Sequence, residues 1–185
     1  IFATMTKMAQ KNASINLSQG FPDFDGPAWL MDLVTDAMRQ GHNQYAPTHG
    51  IPELRRTLAQ IFKKIYGLEF DPMDEITITN GATEAIFCTI MALVNPDDEV
   101  IVLEPFYDSY VAALNLARAK IIPVTLYRND FHFKVEELAQ AFNDKTKLII
   151  LNNPHNPTGK VFTREELEVI VDLAEKYDAY ILSDE

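Results

Sequence analysis

The sequence holds a single cysteine, Cys88. That excludes an internal disulfide framework and a multi-cysteine zinc site, and it agrees with a reducing compartment. Basic side chains are scarce: 16 Lys and Arg stand against 27 Asp and Glu, a formal charge of −11 with no polybasic run. This balance excludes nucleic acid or an anionic membrane surface as the main partner. Long apolar runs are missing too. The longest, 90–94 and 110–114, fall far short of the roughly 20 residues a bilayer-spanning helix needs. His42, His49, His132 and His155 are scattered without ligand spacing, so no metal is expected. There is no G-x-G-x-x-G turn and no P-loop lysine, so a nucleotide is not indicated. No internal repeat or low-complexity tract is visible. The chain starts at Ile1 and stops at Glu185, directly behind a strand-like run, and is expected to be a fragment.

What is present is ordinary globular material, 47% hydrophobic and 23% charged over 185 residues, enough for one domain of usual size. Leu30, Leu33, Val34, Ala37 and Met38 share one face of a helix that Gly41 ends. Pro52 sits in the first turn of a second helix, whose Leu54, Leu58, Ile61, Phe62 and Ile65 share a face until Gly67. The β-branched Ile76, Thr77, Ile78 and Thr79 predict a strand. A mostly apolar helix over 82–94 follows, expected to be buried nearly all round. Strands at 100–103, 121–126, 148–151 and 180–182 then alternate with helices at 108–117 and around Val135, Leu138, Ala139 and Phe142. A last helix opens at Thr163, which forms a capping box with Glu166. Apolar strands alternating with helices predict an α/β fold: a mostly parallel sheet covered by helices on both faces. The segment before Ala28 has a different texture, a short helical stretch and then turn-rich sequence, and reads as an arm or part of a second domain.

Ligands of open parallel sheets sit beyond the carboxyl ends of the strands, so the residues after each apolar run are the candidates. Asn80, Gly81, Ala82 and Thr83 join a strand-like run to a helix N-terminus. Backbone N–H groups and the helix dipole favour an anion there, a phosphate being plausible. The alternative is a glycine turn with a Thr83 cap and nothing bound. Phe106 and Tyr107 could lay a ring against a planar ligand, though alone they read first as core packing. The run from Asn152 to Gly159, with two Asn-Pro steps, makes a stiff loop able to present an amide at fixed geometry; it could equally be a rigid lead-in to the next helix. Asp184 follows a buried strand and should have a cationic or N–H partner, unless it faces solvent. Cys88 reads as packing, Lys160 as a solvated lysine ahead of the strand-like Val161 and Phe162, and Glu165, Glu166 and Glu168 as a wet helix face.

In this order the motifs resemble the fold-type I pyridoxal-phosphate (PLP) aminotransferases. The likeness rests on the run from Ser18 to Phe24 (SQGFPDF), on Asn43, Gln44 and Tyr45, on Gly50 to Arg55 (GIPELR) and on Asn153 to Gly159 (NPHNPTG). Within that family the QGFPDF run and Glu104 to Asp108 (EPFYD) are most similar to the kynurenine and methionine aminotransferases. The resemblance implies that Gly81, Ala82 and Thr83 cradle the cofactor phosphate and that Phe106 stacks on the pyridine ring. Asn156 would bond the ring's phenolic oxygen beside the substrate, and Asp184 would pair with the pyridine N–H. Tyr45 would reach the phosphate of a neighbouring subunit in a homodimer with shared sites, and Gly20 would line the substrate carboxylate. It further implies a large PLP-binding domain over 31–185, a 1–30 arm belonging partly to a small domain, and a cytoplasmic enzyme. The Schiff-base lysine is expected beyond Glu185, so no catalytic residue of this kind is in the chain, which alone should be inert. The activity implied is amino transfer between an amino acid, aromatic or sulfur-containing, and a 2-oxo acid. A PLP-dependent cysteine-conjugate β-lyase and a non-catalytic aminotransferase-like ligand-sensing domain are the alternatives.

Overall fold

The computed structural model describes residues 2–18, 20 and 22–185. Gln19 and Phe21 of the QGFPDF run lie outside the described residues. The chain divides into two compact units, Ile1–Pro47 and Thr48–Glu185, whereas the sequence suggested a boundary at 30. The first unit holds α1 (Phe2–Lys11) and α2 (Ala28–Arg39). Asn16 donates its amide to Thr6 Oγ1 at 3.1 Å, folding the chain after α1 back onto it. The helix predicted from Ala28 is present, but none of its residues is buried.

The second unit runs α3 (Pro52–Tyr66), α4 (Ala82–Leu93), β1 (Glu99–Glu104), α5 (Ser109–Ala117), β2 (Lys120–Thr125), α6 (Val135–Ala141), β3 (Thr146–Asn152), α7 (Arg164–Lys176) and β4 (Tyr180–Asp184). α3 starts on Pro52, whose missing N–H costs nothing in a first turn, and stops at left-handed Gly67, φ 71°. The capping box at α7 has both halves: the Thr163 hydroxyl accepts from the Glu166 N–H, and the Glu166 carboxylate accepts from the Thr163 N–H.

The four strands pair in the order β2-β1-β3-β4, every pair parallel. Side chains of period two send alternate residues to opposite faces. Val100 and Val102 of β1 join Leu148 and Ile150 of β3 in a core with α4 and α5. Ile101, Leu103, Ile149 and Leu151 join a second core with α6 and α7. Each such side chain is worth about 1.5–3 kcal/mol of burial. Helices therefore cover both faces, as the apolar strands require.

Three local expectations fail. Residues 76–79 form no strand and join no sheet. Their link is the Ile78 N–H to the His49 carbonyl at 3.1 Å, and Gly50 approaches so closely that a Cβ there would overlap the Ile78 side chain. A strand needs a partner ladder as well as β-branched residues. α4 is buried along one stripe only, through Ile86 and Ile90. Phe87, Met91 and Cys88 on its other sides are exposed, because α5 and the sheet cover a single face. Val161 and Phe162 form no strand either; Phe162 is instead an anchor of the α6–α7 core.

Candidate active site

The sheet order reverses its direction of growth between β1 and β3. The chain leaves β1 for α5 on one face and leaves β3 for α7 on the other, which opens a crevice between the two strand ends. Register places Asn152 of β3 directly beside Asp184 of β4, so the candidates after three adjacent strands meet at one edge.

The loop after β3 is built from its own side chains. Asn152, 8% exposed, accepts from the Asn156 N–H at 2.5 Å and donates its amide to the Asp184 carbonyl at 2.8 Å. The Asn153 N–H reaches the same carbonyl at 3.0 Å, and Asn153 Oδ1 accepts from the Phe162 N–H at 3.1 Å. The Asn153–Pro154 and Asn156–Pro157 bonds are cis. His155 is buried, with Nδ1 2.8 Å from Thr158 Oγ1 and Nε2 3.4 Å from the Leu103 carbonyl. Burial pushes its imidazole below the ordinary histidine value, the bond to Leu103 opposing in part. With these inward contacts made, the Asn156 side chain is left exposed. Lys160 is not solvated: it lies 2.8 Å from Glu166, its side chain 9% exposed, and also donates to the Asp130 carbonyl at 3.3 Å. Glu166 is correspondingly no part of a wet face.

Asp184 has a partner, but of another kind than expected. The hydroxyl of Tyr110, a buried residue of α5, donates to its Oδ2. This donor fixes one carboxylate oxygen without introducing a cation. Burial, and then the bond to Asp184, push the phenol's own ionisation far up, so Tyr110 remains a donor. Tyr107 meets the Tyr110 ring edge-on at 5.8 Å. Phe106 and Tyr107 both pack, partly buried, on the α4–α5 core that contains Tyr110.

Gly81 opens α4 at φ 82°, a backbone geometry suited to glycine, and no side chain caps the helix. Thr83 is not a cap. Thr79 Oγ1 donates to the Gly81 carbonyl at 3.0 Å, and the Asn80 N–H is taken by Glu84. A groove of about 270 Å³ is lined by Ala82 and Ile86 of α4 together with Leu182 and Asp184 of β4. The structure thus brings Ala82, at the start of α4, and Asp184 to one groove, with Asn156 in the loop after the neighbouring strand, whereas Thr83 lines a separate groove with Ser109 of α5. Gly20 and Tyr45 belong to the first unit, both exposed; the site described is formed within the second unit alone.

The strand-end crevice, the uncapped helix and the carboxylate behind a parallel strand define an α/β domain with a ligand-binding edge. The family model "Aminotransferase class I and II" matches residues 12–185, and the chain belongs to that family. It is 40% identical over 185 residues to a methionine aminotransferase of Escherichia coli, covering all of this chain and 48% of that protein. It is 41% identical over 196 residues to kynurenine–oxoglutarate transaminase 3 of Rattus norvegicus, covering all of this chain and 43% of that one. The solved structure of the E. coli methionine aminotransferase superposes with a TM-score of 0.95, over 100% of this chain and 48% of that chain at 40% identity. That of N-succinyldiaminopimelate aminotransferase from Mycobacterium tuberculosis gives 0.92 over 98% and 48%, at 38% identity. The fold is that of the fold-type I PLP aminotransferases. The chain spans about half the length of the curated relatives it matches.

The residues present fit the PLP that this family implies. Asp184 Oδ1 has no protein partner among the described residues, whereas Oδ2 is taken. A Cβ added at Gly81 would meet nothing within 4 Å, so the space at the helix N-terminus is open. No cluster of metal-binding side chains occurs among the described residues, and no helix there is long and apolar enough to cross a membrane.

Proposed function

We infer that this chain provides the cofactor cradle of a PLP-dependent aminotransferase, acting between an amino acid and a 2-oxo acid. The observation that carries this is Asp184: a carboxylate at a strand end, oriented by Tyr110 and open at Oδ1, beside the uncapped N-terminus of α4. When bound, PLP supplies an electron sink that stabilises negative charge at a substrate α-carbon. The chain's residues would do the rest. The N–H groups of Gly81, Ala82 and Thr83 would hold the phosphate, aided by the helix dipole. Asp184 would accept the pyridine N–H and keep that proton on the ring, while the Tyr110 hydroxyl holds the carboxylate in place. Asn156 would donate to the phenolic oxygen. Phe106 would stack on the ring and exclude water from one side. Gly20 would line the substrate carboxylate, and fully exposed Tyr45 would serve the phosphate of a second copy in a homodimer.

A methionine- or kynurenine-type donor is part of this reading, supported by the names of the relatives. So is a cytoplasmic setting, which the single cysteine suits. The test is to load the full-length protein with PLP, follow near-visible absorbance, then add methionine or kynurenine with a 2-oxo acid. A retained band that the amino acid converts, with a new amino acid formed from the oxo acid, is expected. Pyruvate and thiol release from a cysteine conjugate without amino transfer would point to the β-lyase. Absence of a band in the presence of excess PLP would overturn the proposal.

A further inference from the structure

Asn156 can meet a ring oxygen only if its loop stands at a set distance from the β1 end across the crevice. Among the described residues, one side-chain hydrogen bond runs from this loop to the end of β1. His155 Nε2 lies 3.4 Å from the carbonyl of Leu103, 52 residues away in β1. A carbonyl only accepts, so Nε2 carries the hydrogen, and in the neutral ring Nδ1 is then an acceptor. The Thr158 hydroxyl, 2.8 Å away, is its donor, and Thr158 Oγ1 in turn accepts from the Lys160 N–H at 3.2 Å. The relay therefore runs in one direction: Lys160 N–H to Thr158, Thr158 O–H to His155, His155 N–H to Leu103. Burial holds the imidazole neutral, as this order of donors requires. Beyond the relay the loop is tethered by Lys160 to Glu166 at the start of α7. β3 itself pairs with β1 up to Ile150; beyond that ladder, His155 is the side chain that bonds the loop to the end of β1.

We propose that His155 is a positioning residue: fixed between Thr158 and Leu103, it sets the span between the two crevice loops and so aims the Asn156 amide at the cofactor's phenolic oxygen. The proposal rests on the PLP reading above. Thr158→Val removes the hydroxyl and keeps the shape; the site is half-buried and the change is conservative enough to leave the fold in place should His155→Ala fail to fold. The readouts are the PLP dissociation constant and the pH midpoint of the bound-PLP absorbance. A donor to an oxygen anion favours the anion, so its loss raises that midpoint.

Asn156→Ala is expected to raise the midpoint. Thr158→Val should raise it in the same direction and weaken PLP by about three- to tenfold, roughly the worth of one hydrogen bond. Thr158→Ser, which restores the hydroxyl, should return both to wild type. If Thr158→Val lowers the melting temperature but leaves midpoint and dissociation constant at wild-type values, His155 is core filling and the proposal falls. If wild type binds no PLP, the cofactor reading itself fails and this inference with it; if PLP binds but Asn156→Ala changes neither readout, the role given to Asn156 falls and this inference with it; both outcomes appear in proteins with Thr158 intact.

Discussion

Two turns stand at the same edge of this sheet and spend their polar groups in opposite ways. In the loop after β3, Asn152, Asn153, His155, Thr158 and Lys160 all bond to protein. In the turn that opens α4, no side chain caps the helix and the space before Gly81 is empty. The difference matches the two tasks proposed for these turns. A loop that must present an amide gains from having every other polar group satisfied, since ordering the chain costs about 1–2 kcal/mol per residue. A turn that must hold an anion has to keep its N–H groups free, and a side-chain cap would compete with the ligand.

The contrast can be broken most severely at the residue between the two turns. Asp184→Asn should retain the fold and much of the PLP but lose about 100- to 1000-fold in turnover, the scale of one lost charge-stabilising contact at a reacting centre. Kinetics at matched PLP content measure this; near-normal turnover would defeat the role given to Asp184. Next comes Glu166→Ala, which strips Lys160 of its partner and removes half of the capping box. A loss of about 2–3 kcal/mol in urea unfolding is expected. Because Glu166 serves the bonded loop and not the open turn, phosphate affinity at α4 should be unchanged.

Gly81→Ala probes the open turn. A side chain at φ 82°, ψ 169°, a region open essentially to glycine, costs about 1–3 kcal/mol, and the new methyl group would enter the space proposed for the anion. PLP affinity should drop several-fold in equilibrium dialysis; an unchanged value would mean the turn does not hold the phosphate. The smallest effect is a pH dependence. His155 is neutral in the folded chain at pH values where the unfolded chain, with an ordinary value near 6.5, already takes a proton. Stability should therefore fall as pH drops below about 6.5 and be unaffected above it. His155→Gln should flatten that slope between pH 7.5 and 5.5 in urea titrations.

Much of this was legible beforehand where the signal is local. Pro52 and Gly67 bracket α3, Thr163 and Glu166 form their capping box, and the apolar runs of β1 and β3 became the core strands. Asp184 is a candidate because parallel sheets place ligands at strand ends. The failures share one cause. Residues 76–79 have strand chemistry without a partner, Cys88 sits on a face nothing covers, and Lys160 is enclosed by Glu166 and the Asp130 carbonyl. Tyr110 was passed over because its role depends on a carboxylate 74 positions away.

The sequence alone determined the alternation of helices and strands, the parallel sheet and the edge where chemistry belongs. Those follow from backbone dihedrals, side-chain periodicity and capping, which act within a few residues. The tertiary structure decided who pairs with whom: Tyr110 with Asp184, His155 with Leu103, Lys160 with Glu166. The interaction of a polar group depends on what lies within about 3 Å of it, and in a parallel sheet those neighbours arrive by crossovers from distant parts of the chain.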